Sequence, residues 1–498
     1  MISVEDKVGW AGGGLSLRSL RPRLALMQIA ILLAILATLL SAQSASRIGD
    51  PLSVELRLLG VFATMSAIVL LAACRAQALV GDYRRGLASP AIILEQMNRS
   101  QEKHLWGWLV GCALILWPLN WPGVFLALRG VAGLHVWDYG LLVSPILLPL
   151  CLSWAAFYDA DRLFQSAPHH LSRGEFVSLH LRHLVMPAAS PLVVVLVLHD
   201  LGSWWPLSWR HELLSAAGHV AILSVGVVVF PLVLNRIWGT QSLPAGPLRD
   251  TLQRILTDAG VAVRDIRLWP SGNRAVNALV TGIWGRWRYV LLSDGAIGRL
   301  TPAQVAAVFA HEVAHVRRRH LGRLMVISLA VVTSVYVIDR FAAREFAGFL
   351  VSLPFFLGRT ALLSGLIVTA LLVVSRYSWL LEHQADLDAS CQIAQWPETF
   401  APDGAAEEGE LATGFASAAT PLERRRQACR LMQATLHALA LNCERQRNGW
   451  WHPSIQARQD VLCQGISDPD VLASISCRLR NWEIAVVAVA AILAFSLA

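Results

Sequence analysis

The chain has 498 residues, of which 55% are hydrophobic and only 15% charged, with a mean hydropathy of +0.51. A soluble protein of this size carries about 25% charged residues, so a purely soluble enzyme is excluded and a polytopic membrane protein is expected. The net charge of +8 rests almost wholly on arginine, and in so apolar a chain it fixes membrane orientation rather than binding nucleic acid.

In chain order, a polar tail over residues 1–23 precedes an apolar run from Leu24 to Leu40. The length of both favours an uncleaved transmembrane helix over a signal peptide. Further runs span Leu56 to Ala73, Trp106 to Leu128, Leu141 to Phe157, Leu184 to Leu198 and Val220 to Leu234. The run from Trp106 is broken by Pro118, Asn120 and Pro122 and is predicted as a kinked span or a re-entrant hairpin. Trp106, Trp137, Trp204, Trp205, Trp209 and Trp238 stand at run ends, where interfacial anchors belong. The stretches 75–105 and 159–182 are rich in arginine, whereas 42–55 and 201–216 each hold one. The positive-inside rule then puts the N-terminus, and after six spans the segment 236–323, in the cytoplasm. The eight cysteines are scattered without a C-x-x-C pair, which predicts reduced thiols rather than disulfides or metal ligands.

The breaker cluster Pro244 to Pro247 ends the first membrane region. Residues 248–259 suit a short amphipathic helix, and Ile266 to Trp269, Val276 to Ile283 and Trp287 to Leu292 read as short strands. Next comes TPAQVAAVFAHEVAHVRRRH. Thr301 caps a helix, Pro302 suits its first turn and Gln304 completes a capping box. His311 and His315, four residues apart, leave the same helix face, where two imidazoles can share one zinc ion. Glu312 between them is placed to take a proton from the attacking water.

Two further apolar runs, from Leu324 to Ile338 and on to Val374, form a hairpin that returns the chain to the cytoplasmic side. There Glu382 and Asp386 share one helical face. A glutamate from a second helix is a common third ligand of a two-histidine zinc site, and an aspartate one turn on can hold a ligand histidine in one tautomer. Residues 398–422 read as a linker and 423–446 as an amphipathic helix, while the run from Ile484 to Ala498 is short for a span.

Four stretches together resemble the integral-membrane gluzincin peptidases of the HtpX and CAAX-prenyl-endopeptidase type. They are Asn277-Ala278, HEVAH with the following RRRH, EHQAD at Glu382 to Asp386, and HPSIQAR at His452 to Arg458, and they cover residues 245–465. The resemblance implies a mainly α, polytopic helical membrane protein with a small cytoplasmic zincin-like α+β domain split by a transmembrane hairpin. The expected division is 1–240 for a multi-span region, 245–323 and 377–480 for the catalytic halves, 324–376 for the hairpin and 483–498 for a terminal apolar helix. It further implies one Zn2+ per chain on His311, His315 and Glu382, with Glu312 as general base and acid and Asp386 beside a ligand. His452 donates to the developing oxyanion with Arg458 in support, and Asn277 sits by the substrate strand. His320 and His383 stay outside the ligand set, since three protein ligands plus water fill a catalytic zinc. The arginine that the family places just before the ligand glutamate is displaced upstream here, as Arg376.

The activity expected is cleavage of membrane proteins or peptides at the cytoplasmic face of a bacterial inner membrane, in protein quality control. A CAAX-type processing peptidase ranks lower because the arginine-dominated composition is that of a bacterial protein. A metalloprotein signalling receptor needs a larger outer domain than the short outer loops provide. A transporter or scaffold with a dead site is at odds with an intact Glu312 and three ligands. The sequence carries no signal for oligomeric state.

Overall fold

A backbone that leaves water has to satisfy its own hydrogen bonds, which is why the long apolar runs fold as helices. The computed structural model describes residues 22–44, 48–87, 90–129, 136–163, 171–187, scattered positions from 189 to 226, and then 228–272, 275–345, 355–395, 420–443, 452–468 and 470–497. These fall into two units, Met1–Ser215 with Leu441–Glu444 and Ala216–Ala440 with Arg445–Ala498.

The first unit contains α1 (Pro22–Ser44), α2 (Pro51–Arg84), α3 (Pro90–Leu116), α4 (Trp121–Arg129), α5 (Val136–Leu163) and α6 (Arg173–His180). The Asp50 carboxylate caps α2 by accepting the Ser53 N–H at 2.9 Å, with Pro51 in the first turn. Along α2, Leu56, Leu59, Phe62, Leu70 and Leu71 face outward while Val61, Ile68 and Ala72 pack inward. Such an apolar exterior is stable only where lipid is the solvent. The broken run is a bent pair, α3 and α4 meeting at 51° across a turn in which Asn120 has φ 45. Prolines 145 and 149 lie inside α5. The Ser144 hydroxyl donates to the Leu141 carbonyl that Pro145 cannot serve, and the Trp108 and Trp121 indoles donate to the Ile146 and Leu142 carbonyls.

The second unit begins with α7 (Val228–Ile237) and continues with β1 (Gln241–Ser242), α8 (Pro247–Asp258), β2 (Asp265–Trp269), β3 (Ala278–Thr281) and β4 (Tyr289–Ser293). Helices α9 (Asp294–Arg299), α10 (Pro302–Arg317), α11 (His320–Glu345) and α12 (Phe355–Gln395) follow, and then α13 (Pro421–Cys443), α14 (Ile455–Ser467) and α15 (Val471–Leu497). The sheet order is β1-β2-β4-β3, with β2 and β4 parallel and the other pairs antiparallel. All five residues of β4 are buried, as a central strand covered on both faces requires, and β3 is left at an edge. The turn after β3 depends on Gly282. Its φ is +97, and a Cβ there would lie 2.3 Å from the Trp287 carbonyl oxygen.

Among the described residues four helices are long and apolar enough to cross a membrane: Pro51–Arg84, Trp137–Leu163, His320–Ala342 and Gly365–Gln395. The bent pair makes a fifth if it counts as one span. The protein is a mainly helical, multi-pass membrane protein with a small sheet domain. Of the six runs expected ahead of that domain, two are spanning helices and one is the bent pair. Ala30–Leu39 and Val228–Ile237 are shorter apolar helices, the run at 184–198 is described only in part, and 398–419 lie outside the described residues. Trp106 and Trp137 are exposed as anchors should be, whereas Trp238 is buried and stacked on Trp269 with ring centroids 4.4 Å apart. Trp204, Trp205 and Trp209 lie outside the described residues. The short terminal run proves to be the second half of α15, which starts at Val471 and packs on α11 and α12.

Candidate metal centre

The site grows from α10. Thr301 Oγ1 accepts the Gln304 N–H at 3.3 Å and Gln304 Oε1 accepts the Thr301 N–H at 3.1 Å, so the helix starts at a fixed residue. Two and a half turns later His311 and His315 stand on one face, their Nε2 atoms 3.1 Å apart. The helix ends at Arg318, and the next residue, Arg319, adopts a left-handed φ of 55. Few non-glycine residues do so, and the reversal sets His320 at the head of α11 against His315.

Glu382 comes from α12. Its Oε2 lies 3.6 Å from His311 Nε2 and its Oε1 3.5 Å from His315 Nε2. Ligands about 2.1 Å from a tetrahedral metal stand about 3.4 Å from each other, so this spacing fits one divalent cation. Glu382 Oε2 is buried and, among the described residues, has no hydrogen-bond partner, as befits an oxygen reserved for a cation. His311, His315 and Glu382 form the one such ligand group among the described residues. His320 and His383 are not members.

One turn beyond Glu382, Asp386 Oδ1 lies 2.9 Å from His311 Nδ1. That contact holds the proton on Nδ1 and leaves Nε2 free as a ligand. Arg458, in the first turn of α14, grips Asp386 with two nitrogens at 2.7 and 2.6 Å and reaches Glu382 Oε2 at 3.5 Å. The hydrogen bonds of Arg458 run to Asp386, which ties it to the His311 side of the cluster. His452 is half-exposed, with Nδ1 3.1 Å from Glu382 Oε1. Asn277 pairs through its backbone with Ser293 at the head of β3. Arg376 stacks on Trp379.

Glu312 Oε2 accepts the outward N–H of Val280 on β3 at 3.2 Å. Burial, with the nearby Glu382 charge adding to it, raises its carboxyl to about 7. Burial and the neighbouring His311 hold His315 well below the ordinary histidine range, so it is a neutral donor. Burial pulls His311 down too, but Asp386 and Glu382 outweigh it and raise the ring to about 9. Two buried carboxylates thus draw positive charge, proton or metal, onto this spot.

Sequence reasoning missed several polar partners. Asp388, fully buried on α12, accepts from Arg317 at 2.6 Å and Arg318 at 2.9 Å, joining the end of α10 to α12. The juxtaposed RRR and DLD stretches were the available signal. Gln384, Arg323, Tyr377 and Glu483 form a second network around His320.

Residues 242–395 match the family described as Peptidase family M48. The matched stretch runs from β1 to the end of α12 and so holds His311, Glu312, His315, Glu382 and Asp386, while His452 and Arg458 lie beyond it. Protease HtpX of Alcanivorax borkumensis is 30% identical over 157 residues, 30% of this chain and 51% of that protein. A protease HtpX homolog of Thiobacillus denitrificans is 33% identical over 93 residues, 19% of this chain and 31% of that protein. The chain spans about half or less of the length of these relatives. The crystal structure of S. mikatae Ste24p aligns with 84% of this chain and 100% of that one, at 15% identity and a TM-score of 0.39, a likeness too loose to carry an argument.

Proposed function

We propose that this chain is a zinc-dependent endopeptidase of the bacterial inner membrane, cleaving membrane proteins or peptides at the cytoplasmic face in protein quality control. The observation that carries the reading is the convergence of His311, His315 and Glu382, their ligand atoms within 4.8 Å of one another, beside a Glu312 tied to an edge strand. One zinc ion held there supplies Lewis acidity toward a water and a carbonyl. An extended substrate laid along the free edge of β3 brings its backbone next to Glu312, with Asn277 at the entry to that strand. With its carboxyl near neutrality, Glu312 accepts a proton from the attacking water and returns it to the leaving amine. His452, half-exposed beside Glu382, donates to the oxyanion. Asp386 and Arg458 hold His311 and Glu382 in place. The arginine-rich stretches 75–105 and 159–182 support the cytoplasmic orientation.

The test is cleavage of an unfolded membrane protein by detergent-purified, zinc-loaded protein, with Glu312→Gln alongside. Turnover is expected to fall by about 10²–10⁴-fold in the variant while zinc binding is retained. Equal turnover in the two proteins removes Glu312 from the mechanism. A reporter fused after Arg323 that proved extracytoplasmic would overturn the orientation.

A further inference from the structure

A line of hydrogen bonds leaves the centre from the far side of His315. His315 Nδ1 lies 2.9 Å from His320 Nδ1, and His320 Nε2 lies 2.9 Å from Gln384 Oε1. Arg323 donates to the same Gln384 oxygen at 3.0 Å, while Gln384 Nε2 donates to Ser476 Oγ at 2.7 Å. The Ser476 hydroxyl is spent on the Leu472 carbonyl, so its oxygen is free to accept. Glu483 Oε1 anchors Arg323 at 2.6 Å and also accepts from the Tyr377 hydroxyl. Ser476 and Glu483 both belong to α15.

The direction of every proton along this line is determined. A guanidinium only donates, so the Gln384 atom that faces Arg323 is an acceptor, and His320 Nε2 must carry the proton aimed at it. At the other end, an imidazole that gives Nε2 to a metal keeps its proton on Nδ1. His315 Nδ1 therefore donates and His320 Nδ1 accepts. Both ends demand the same tautomer of His320, which is buried at 2% exposure.

We propose that His320 is a positioning residue of the metal centre, accepting the Nδ1 proton of His315 so that Nε2 faces the metal. Arg323, anchored by Glu483, sets the direction of the relay, which makes the C-terminal helix α15 a working part of the site. The two ligand histidines are then held differently, His311 by a carboxylate and His315 by a neutral imidazole. The inference rests on the reading of His315 as a zinc ligand.

The test is zinc affinity by chelator competition and the visible absorption of the Co2+-substituted full-length protein in detergent. Wild type is compared with His315→Ala, His320→Leu, His320→Asn, His320→Gln and Arg323→Met. Asparagine places an accepting oxygen where Nδ1 was, whereas glutamine places a donating amide nitrogen where Nε2 was and no acceptor toward His315. His320→Leu and His320→Gln are expected to weaken zinc binding by about 10–100-fold and to shift the cobalt bands, His320→Asn to stay close to wild type, and Arg323→Met to fall in between. Leucine at wild-type affinity, or asparagine as weak as glutamine, overturns the relay, and an unaffected Arg323→Met removes α15 from it. If leucine does not fold, the asparagine and glutamine pair still decides. His315→Ala that binds zinc like wild type sinks the metal-centre reading itself, and the relay with it.

Discussion

Helix α12 is two different objects joined end to end. In its first half Ile367, Val368, Leu371 and Leu372 are exposed. In its second half Glu382, Gln384, Asp386 and Asp388 are buried, at 5%, 2%, 0% and 0% exposure. The polarity is inverted because the surroundings change along the rod from lipid to protein. A leucine facing acyl chains needs no protein partner, whereas a buried carboxylate is tolerable only when paired and hydrogen-bonded. Each of the four polar residues accordingly meets a different set of partners: His311 with His315, His320 with Arg323, His311 with Arg458, and the pair Arg317 and Arg318. The comparison teaches that one half of α12 is specified by composition alone and the other by particular neighbours.

The sharpest way to break the contrast is to remove a partner from the polar half. Arg458→Ala leaves Asp386 and Glu382 buried without their cation, and a loss of about 3–5 kcal/mol is expected, read as a lowered melting temperature of the metal-free protein. An unchanged melt would mean that the polar half is no more demanding than the apolar one. In the lipid-facing half the sensitive change is the reverse. Leu372→Asp is expected to cost about 3 kcal/mol of insertion, seen as a loss of protease protection of the α11–α12 hairpin, whereas Leu372→Ala should leave protection intact. The smallest effect belongs to the joint between α10 and the hairpin. Arg319→Gly relieves a left-handed backbone and is expected to add about 0.5–1 kcal/mol to stability, raising the melting temperature slightly.

What could be read in the chain followed the same division. The spanning helices and the strands before α10 announce themselves through hydropathy and turn residues, and the start of α10 through its capping box, because these signals are local. The placement of His311, His315 and Glu382 follows from helical spacing plus a hairpin that brings the chain back. The role of Arg458 and the His320 network were not legible. Arg458 meets Asp386 across 72 residues, and His320 faces His315 only because Arg319 reverses the chain. Glu483 sits where the apolar run of α15 begins, so its residue type marked an end rather than a contact. The two-residue β1 is too short to show alternation.

The continuity of α12 also governs how its gene can change length. Each residue of an α-helix advances the azimuth by about 100°. A single codon inserted between Leu372 and Glu382 would swing the glutamate by that angle, away from His311, and would turn Asp386 and Asp388 from their partners in the same stroke. Seven inserted residues come back to within about 20° of the starting angle, though two turns further along the axis. The stretch between Leu372 and Glu382 therefore behaves as a reading frame of its own, in which an insertion displaces every partner downstream while a substitution disturbs only its own position.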